Sequence, residues 1–288
     1  PLILLLPPPL WGRVGERGLN GYSARRAEWV QEAGLVVGCL WGPRRAPGLV
    51  WPVPGLMLLV MLVNPLSMMP HSDLPLPAAW FDLGCRRCPR LARFLDEVRG
   101  RHPAYHAAPV PPFGAREARL LVVGLAPGLH GANATGRPFT GDHAGILLYE
   151  TLYDFGFGSQ PISRARDDGL QMIGCRITNA VKCLPPENKP TGAETRQCNS
   201  YLRAELADLD RGAVVLALGR LAHGAVLTAR GLKQKDYPFA HGAGHVLPGG
   251  PRLLDSYHCS RYNTQTRRLT TEMFRAVVGQ ARDWVAAA

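Results

Sequence analysis

Four short apolar runs, each closed by a polar loop and followed by a helical pattern, limit what this chain can fold into more than any other feature. The clearest is Leu120-Leu121-Val122-Val123, continuous and ending at Gly124. A strand without apolar–polar alternation is buried on both faces, as in a parallel sheet covered by helices. Further strands are predicted over 173–180, 213–218 and 252–257, with helices over 145–155, 192–209, 221–230 and 271–285 between and after them. Thr191-x-x-Glu194 is a capping box that sets the start of the helix from Gly192. Met273, Phe274, Val277, Val278, Ala281, Trp284 and Val285 give the last helix one apolar face. The expected fold class is α/β: a three-layer α/β/α sandwich around a four-stranded parallel sheet.

This domain is expected over residues 76–288. Residues 1–75 carry Pro7-Pro8-Pro9 and Trp51-Pro52-Val53-Pro54 and show no sustained period. They are read as a disordered or artefactual N-terminal extension, with Met68 or Met69 as a candidate natural start. The apolar run over 56–63 falls far short of the roughly 20 residues that cross a bilayer, so no membrane partner is expected. Leu2 to Leu6 lacks the basic flank of a signal peptide. A formal charge of +11 points to a polyanionic partner such as nucleic acid.

Seven cysteines spread over 288 residues do not form the dense framework of a small secreted scaffold, which places the chain in a reducing compartment. Cys85-x-x-Cys88 opens directly into Pro89 and a short helix with Leu91, Phe94, Leu95 and Val98 on one side. Cys183 and Cys198 follow much later, and the four together read as a metal site. Cys39, Cys175 and Cys259 read as buried free thiols. The unusual polar residues fall in three loops: GLAPGLHGANATGRPFTGD over 124–142, KCLPPENKP over 182–190 and YHCSRYN over 257–263. Each lies at the carboxyl end of a strand, where open parallel sheets bind ligands, so all three should gather at one sheet edge.

In this order, preceded by C-x-x-C-P, these motifs resemble the family 5 (type b) uracil-DNA glycosylases over roughly residues 80–285. The resemblance implies a hydrolase that cleaves the N-glycosidic bond of uracil in DNA and initiates base excision repair. Hypoxanthine and xanthine are implied as further substrates. It also implies a 4Fe-4S cluster held by Cys85, Cys88, Cys183 and Cys198, DNA as partner, a monomer, and a cytoplasmic, nucleoid-associated location. Structural zinc is the rival occupant, but zinc sites usually repeat two close pairs, which Cys183 and Cys198 do not form. The cluster's implied role is structural, ordering the segment between Cys183 and Cys198 so that Lys189 and Arg196 meet DNA phosphates.

For the flipped base, the resemblance assigns Gly124 and Leu125 to the substrate pocket and Phe139 to the stacking platform. Asn179 and Asn188 are the candidate readers, because an amide matches the carbonyl and imide edge of uracil. His258 would donate to a base carbonyl as the leaving group gathers charge, and Asp142 would orient water or steady the sugar cation. Each has a plainer alternative: a core plug for Phe139, turn residues for the asparagines, a satisfied core histidine for His258 and a helix N-cap for Asp142. Leu125 and Ala126 stand where the superfamily usually places an acidic or amide residue, and Ala134 stands where family members commonly have Arg. Asn179 is Ala in some family 5 members, whereas the related family 4 enzymes, a second candidate class, use Asn there for uracil. A non-catalytic iron-sulfur DNA-binding protein would lose Asp142 and His258 together. A ferredoxin-like carrier should be small, and a nucleotide-binding enzyme should carry G-x-G-x-x-G, which GLAPG is not.

Overall fold

The structure is a computed structural model that describes residues 76–288. The expectations for residues 1–75, including Cys39 and the apolar run, lie outside the described residues. The sheet has six strands in the order β1-β3-β2-β4-β6-β5. They are β1 Phe113–Gly114, β2 Leu120–Gly124, β3 Cys175–Asn179, β4 Val214–Leu218, β5 Gly244–Val246 and β6 Arg252–Ser256. The helices are α1 Pro89–Arg101, α2 Ala132–Thr135, α3 His143–Asp154, α4 Gly192–Ala207, α5 Arg220–Ala229, α6 Arg261–Gln265 and α7 Thr271–Ala286. The predicted four-stranded parallel sheet is therefore the centre of a wider one. β3, β2, β4 and β6 run parallel, while β1 and β5 add antiparallel edges that sequence periodicity did not anticipate. Neither edge strand carries an apolar run, and each exists because a neighbour offers an open hydrogen-bonding edge.

Burial on both faces explains the continuous apolar runs. Leu120, Val122, Val214, Leu216 and Leu254 pack against Leu148 and Leu152 of α3 and Phe274, Val277 and Val278 of α7. On the opposite face Leu121, Val123, Val215, Ala217 and Leu253 meet Leu202 and Leu206 of α4 and Ala222 and Val226 of α5. Each such Leu or Val stabilises the fold by roughly 1.5–3 kcal/mol relative to exposure. The register pairs Gly124 with Asn179 and Leu218 with Ser256, so the carboxyl ends of the central strands finish nearly level. The three polar loops leave from that edge. Among the described residues, no helix is long and apolar enough to cross a membrane.

A separate apolar lobe forms around α1, where Leu91, Leu95 and Val98 pack with Ala107, Val181, Leu184 and Tyr201. A buried polar knot ties this lobe to the sheet. Glu205 of α4 accepts from Lys182 Nζ at 2.6 Å and from Thr178 Oγ1 at 2.9 Å. Its other oxygen lies 3.4 Å from the Arg176 guanidinium, which stacks 4.0 Å over the Trp80 ring. Removing one partner of such a buried charge network costs about 3–5 kcal/mol, because the survivor is left uncompensated.

Candidate active site

The loops after β2, β3 and β6 enclose one cleft of about 560 Å³. Leu125, Phe139, Asp142, Asn179, Asn188 and His258 all line it, so residues far apart in sequence meet at one sheet edge. Gly124 does not line the cleft but lies directly behind Phe139 and Asn179. A β-carbon there would come within 2.6 Å of the Phe139 ring and would also strike the Asn179 side-chain oxygen. Only glycine lets both groups approach the strand end this closely.

Phe139 has a left-handed backbone, φ +54°, which costs a non-glycine residue on the order of 1 kcal/mol and persists only where its surroundings enforce it. The enforcing contacts are visible on both sides. Tyr149 donates its hydroxyl to the Pro138 carbonyl at 2.6 Å, and Thr140 and Ser163 share a hydrogen bond of 2.7 Å. Buried Arg137 pairs with Asp168 at 2.7 Å and donates to the Arg166 carbonyl at 2.6 Å. The ring is 6 % exposed and lies 5.8 Å from the His258 imidazole, with 28° between their planes.

Asn179 ends β3 with its side chain turned into the cleft. It is 3 % exposed, and its side-chain oxygen packs against the Gly124 backbone at the end of β2. An amide on the cleft wall can offer a ligand both a donor and an acceptor. Asn188 differs. It is exposed at the mouth, at the end of a 3₁₀ turn over Pro186–Asn188, with φ +57° following a left-handed Glu187. It is thus a turn residue and a cleft residue at once. The turn is held by Arg90, which donates to the Lys189 carbonyl at 3.2 Å and pairs with Glu194 at 2.7 Å.

Asp142 also serves twice. Its Oδ1 accepts from Gly145 N–H at 3.1 Å, capping α3. Its other oxygen lies over the first loop, where a β-carbon on Gly131 would come within 2.7 Å of the Asp142 β-carbon. Burial raises the Asp142 carboxyl above its ordinary value, against the pull of the Gly145 and Ala144 amides and of His143. His258 follows β6, and Asn263 secures its carbonyl through a 2.8 Å hydrogen bond. Burial pushes its imidazole down to about 4, so the ring is neutral near pH 7 and has a single N–H to donate. No hydrogen bond satisfies that ring among the described residues, so it is not the self-contained core histidine of the plainer alternative.

His130, His143, Ser260 and Arg261 line the same cleft, although sequence reasoning gave them no role. His130 Nδ1 meets the Tyr105 hydroxyl at 2.9 Å, and His143 Nε2 meets Thr264 Oγ1 at 3.0 Å. All four lie in or beside the quoted loops, so their presence in those motifs was the available signal. Leu125 and Ala126 bring only apolar side chains to the wall.

The four cysteines converge elsewhere. Cys85, Cys88, Cys183 and Cys198 surround one small cavity walled by Leu91, Ala92, Pro109 and Val181. None of the four is in a disulfide. Among the described residues no three of their sulfurs lie mutually within 4.8 Å. Four cysteine sulfurs around one cavity are a donor set that fits thiolate ligation of a metal group. Burial pushes Cys183 up to about 12 and raises Cys88 and Cys198, so these thiols stay neutral without a cation to displace their protons. Burial acts the same way on Cys85, but hydrogen bonds from Tyr201 and Arg87 outweigh it and lower that thiol. The Lys182 amide donates to Cys198 Sγ at 3.3 Å, as expected around a charged sulfur. Cys175 and Cys259 are fully buried and lie outside this cavity.

Residues 111–282 match the model of the uracil DNA glycosylase superfamily. A type-5 uracil-DNA glycosylase of Thermus thermophilus is 51 % identical over 203 residues, covering 69 % of this chain and 92 % of the relative. A type-5 enzyme of Pyrobaculum aerophilum is 42 % identical over 215 residues, covering 71 % and 93 %. A type-4 enzyme of Thermotoga maritima is 36 % identical over 164 residues, covering 55 % and 76 %. With the sheet, the three converging loops and these similarities in hand, the chain belongs to the uracil-DNA glycosylase superfamily and, within it, to the type-5 family.

Proposed function

We propose that the cleft hydrolyses the N-glycosidic bond of uracil in DNA. The observation that carries this is the convergence of Asn179, at the end of β3, with the enforced ring of Phe139 and with Asp142 and His258 in one cleft. A flipped uracil would stack on Phe139 and exchange hydrogen bonds with Asn179, recovering part of an unstacking cost of a few kcal/mol. The type-5 and type-4 relatives carry uracil-DNA glycosylase in their names, in agreement with this reading.

Water attacks C1′ as the bond from C1′ to the base nitrogen breaks and the electron pair leaves with the base. His258, neutral in the cleft, donates its N–H to the base carbonyl and stabilises that charge most in the transition state. Asp142 orients the water and accepts its proton, while its charge steadies the oxocarbenium-like sugar. Asn188 closes the mouth over the bound nucleotide. Leu125 and Ala126 bring no polar group that would reject a purine, so hypoxanthine and xanthine are proposed as weaker substrates.

Cys85, Cys88, Cys183 and Cys198 would hold a 4Fe-4S cluster, whose chemistry here is thiolate ligation that crosslinks α1 to the loop after β3. Lys189 and Arg196, both exposed on the segment thus ordered, would contact DNA phosphates. The chain is read as a cytoplasmic monomer that meets DNA through its net charge of +11. Incubating the protein with duplexes containing uracil, hypoxanthine or xanthine, followed by alkali, tests the assignment. Cleavage at uracil is expected at the highest rate, and intact uracil strands with a filled cysteine site would refute it.

A further inference from the structure

We propose that His223, His245 and Asp255 bind one divalent transition cation of the zinc class, on the far side of the sheet from α3 and α7. The three side chains come from α5, β5 and β6, and one ligand atom from each lies within 4.8 Å of the others. They belong neither to the cleft nor to the cysteine cavity, and the proposal does not rest on the reaction assigned to the cleft.

The hydrogen bonds argue for a cation. His223 Nε2 lies 2.9 Å from the Tyr237 carbonyl, which can only accept, so the proton is on Nε2. Nδ1 then turns a lone pair towards Asp255 Oδ1 at 2.8 Å, an acceptor facing an acceptor. A second proton or a metal must relieve that contact. A ligating imidazole that donates its other N–H to a backbone carbonyl is the usual way a protein orients such a ligand. The remaining atoms favour the metal. Asp255 is completely buried, and its Oδ2 has no hydrogen-bond partner among the described residues; nor does His245 Nε2, only 3.4 Å away. A tetrahedral ion with ligand bonds of 2.0–2.1 Å separates its donors by about 3.3 Å, close to that gap and wider than the 2.8 Å from Nδ1 to Oδ1, so Oδ2 is the ligand oxygen. Imidazole, imidazole and carboxylate suit zinc and leave one position for water. The His245 side chain is 13 % exposed, which gives the ion a way in.

The effect would be mechanical. Asp255 lies three residues before His258 on the same strand exit, so a metal joining α5, β5 and β6 braces the base of the loop that carries His258. The test uses the full chain with its iron content and visible absorbance checked first, so that the cysteine cavity is accounted for. The protein is titrated with zinc, bound zinc is counted by mass spectrometry, and ligation is read at the zinc X-ray edge. One zinc per chain in nitrogen and oxygen coordination is expected, together with a rise in Tm on loading. His245→Ala removes a half-buried ligand with no hydrogen bond to lose, so it should fold, bind zinc on the order of 100-fold more weakly and show no rise in Tm. Zinc ligated by sulfur alone, or equal binding by wild type and His245→Ala, would overturn the proposal.

Discussion

The cleft at the strand ends and the cysteine cavity are reached by the same stretch of chain, yet they are built on opposite principles. Val181, Lys182 and Cys183 wall the cavity, and Asn188, a few residues later, rims the cleft. The cavity is small and apolar-walled, and backbone and side-chain donors already point at its sulfurs. The cleft is larger and open, and its polar side chains face solvent. A small closed site with donors aimed at its sulfurs suits a permanent occupant, whereas an open cleft lined by an amide and an imidazole suits a ligand that comes and goes. The two are joined by short contacts: Arg90 of the lobe holds the turn after β3, and that turn presents Asn188.

This contrast predicts different losses. The largest effect should follow Cys183→Ser, which removes one thiolate from the cavity. The expected result is loss of the broad visible absorbance, with a lowered Tm and with activity falling only as the fold does; absorbance and calorimetry on one sample check it. Next comes Asp142→Asn, which keeps the α3 cap but cannot take the proton. Single-turnover excision of uracil should slow by about 10²–10⁴-fold with absorbance and Tm nearly unchanged. His258→Ala should slow it by about 10²–10³-fold, again without loss of the cluster signal.

The smallest effect is on pH dependence. Because burial raises the Asp142 carboxyl, the acid limb of the rate profile should lie above the ordinary carboxylate value and should vanish in Asp142→Asn. His258 works through stability. Its folded value of about 4, against an ordinary 6.5, means that the stability it supports is present above pH 6.5 and is lost as pH falls from 6.5 towards 4. Replacing it by Gln should flatten Tm against pH within that window, and an unchanged slope would count against its burial as the neutral form.

Much of this was legible in the sequence, and the remainder was hidden for physical reasons. Leu120 to Val123 and its three counterparts read as strands because both faces are buried, and Thr191 and Glu194 fixed the start of α4 through a capping box that the structure forms. β1 and β5 were missed because two or three residues carry no period; they depend on the neighbours they pair with. The short helices α2 and α6 lie inside motifs rich in Gly, Asn and Thr, where local propensity is weak and tertiary contacts decide. Placement of the cleft residues followed from strand-end logic, but the double duties of Asp142 and Asn188 did not, since a cap or a turn looks the same in sequence whether or not it faces a cavity. His223, His245 and Asp255 were invisible for the same reason: no spacing links a helix, an edge strand and a central strand.

The central claim is that the chemistry resides in the cleft while the cysteine cavity supports it. The most direct measurement is the single-turnover excision rate on a uracil duplex for the double variant Asp142→Asn/His258→Ala, with visible absorbance recorded on the same sample. The prediction is full absorbance with excision at least about 10³-fold slower than wild type, the two losses not being additive. Full absorbance with a wild-type rate would contradict it.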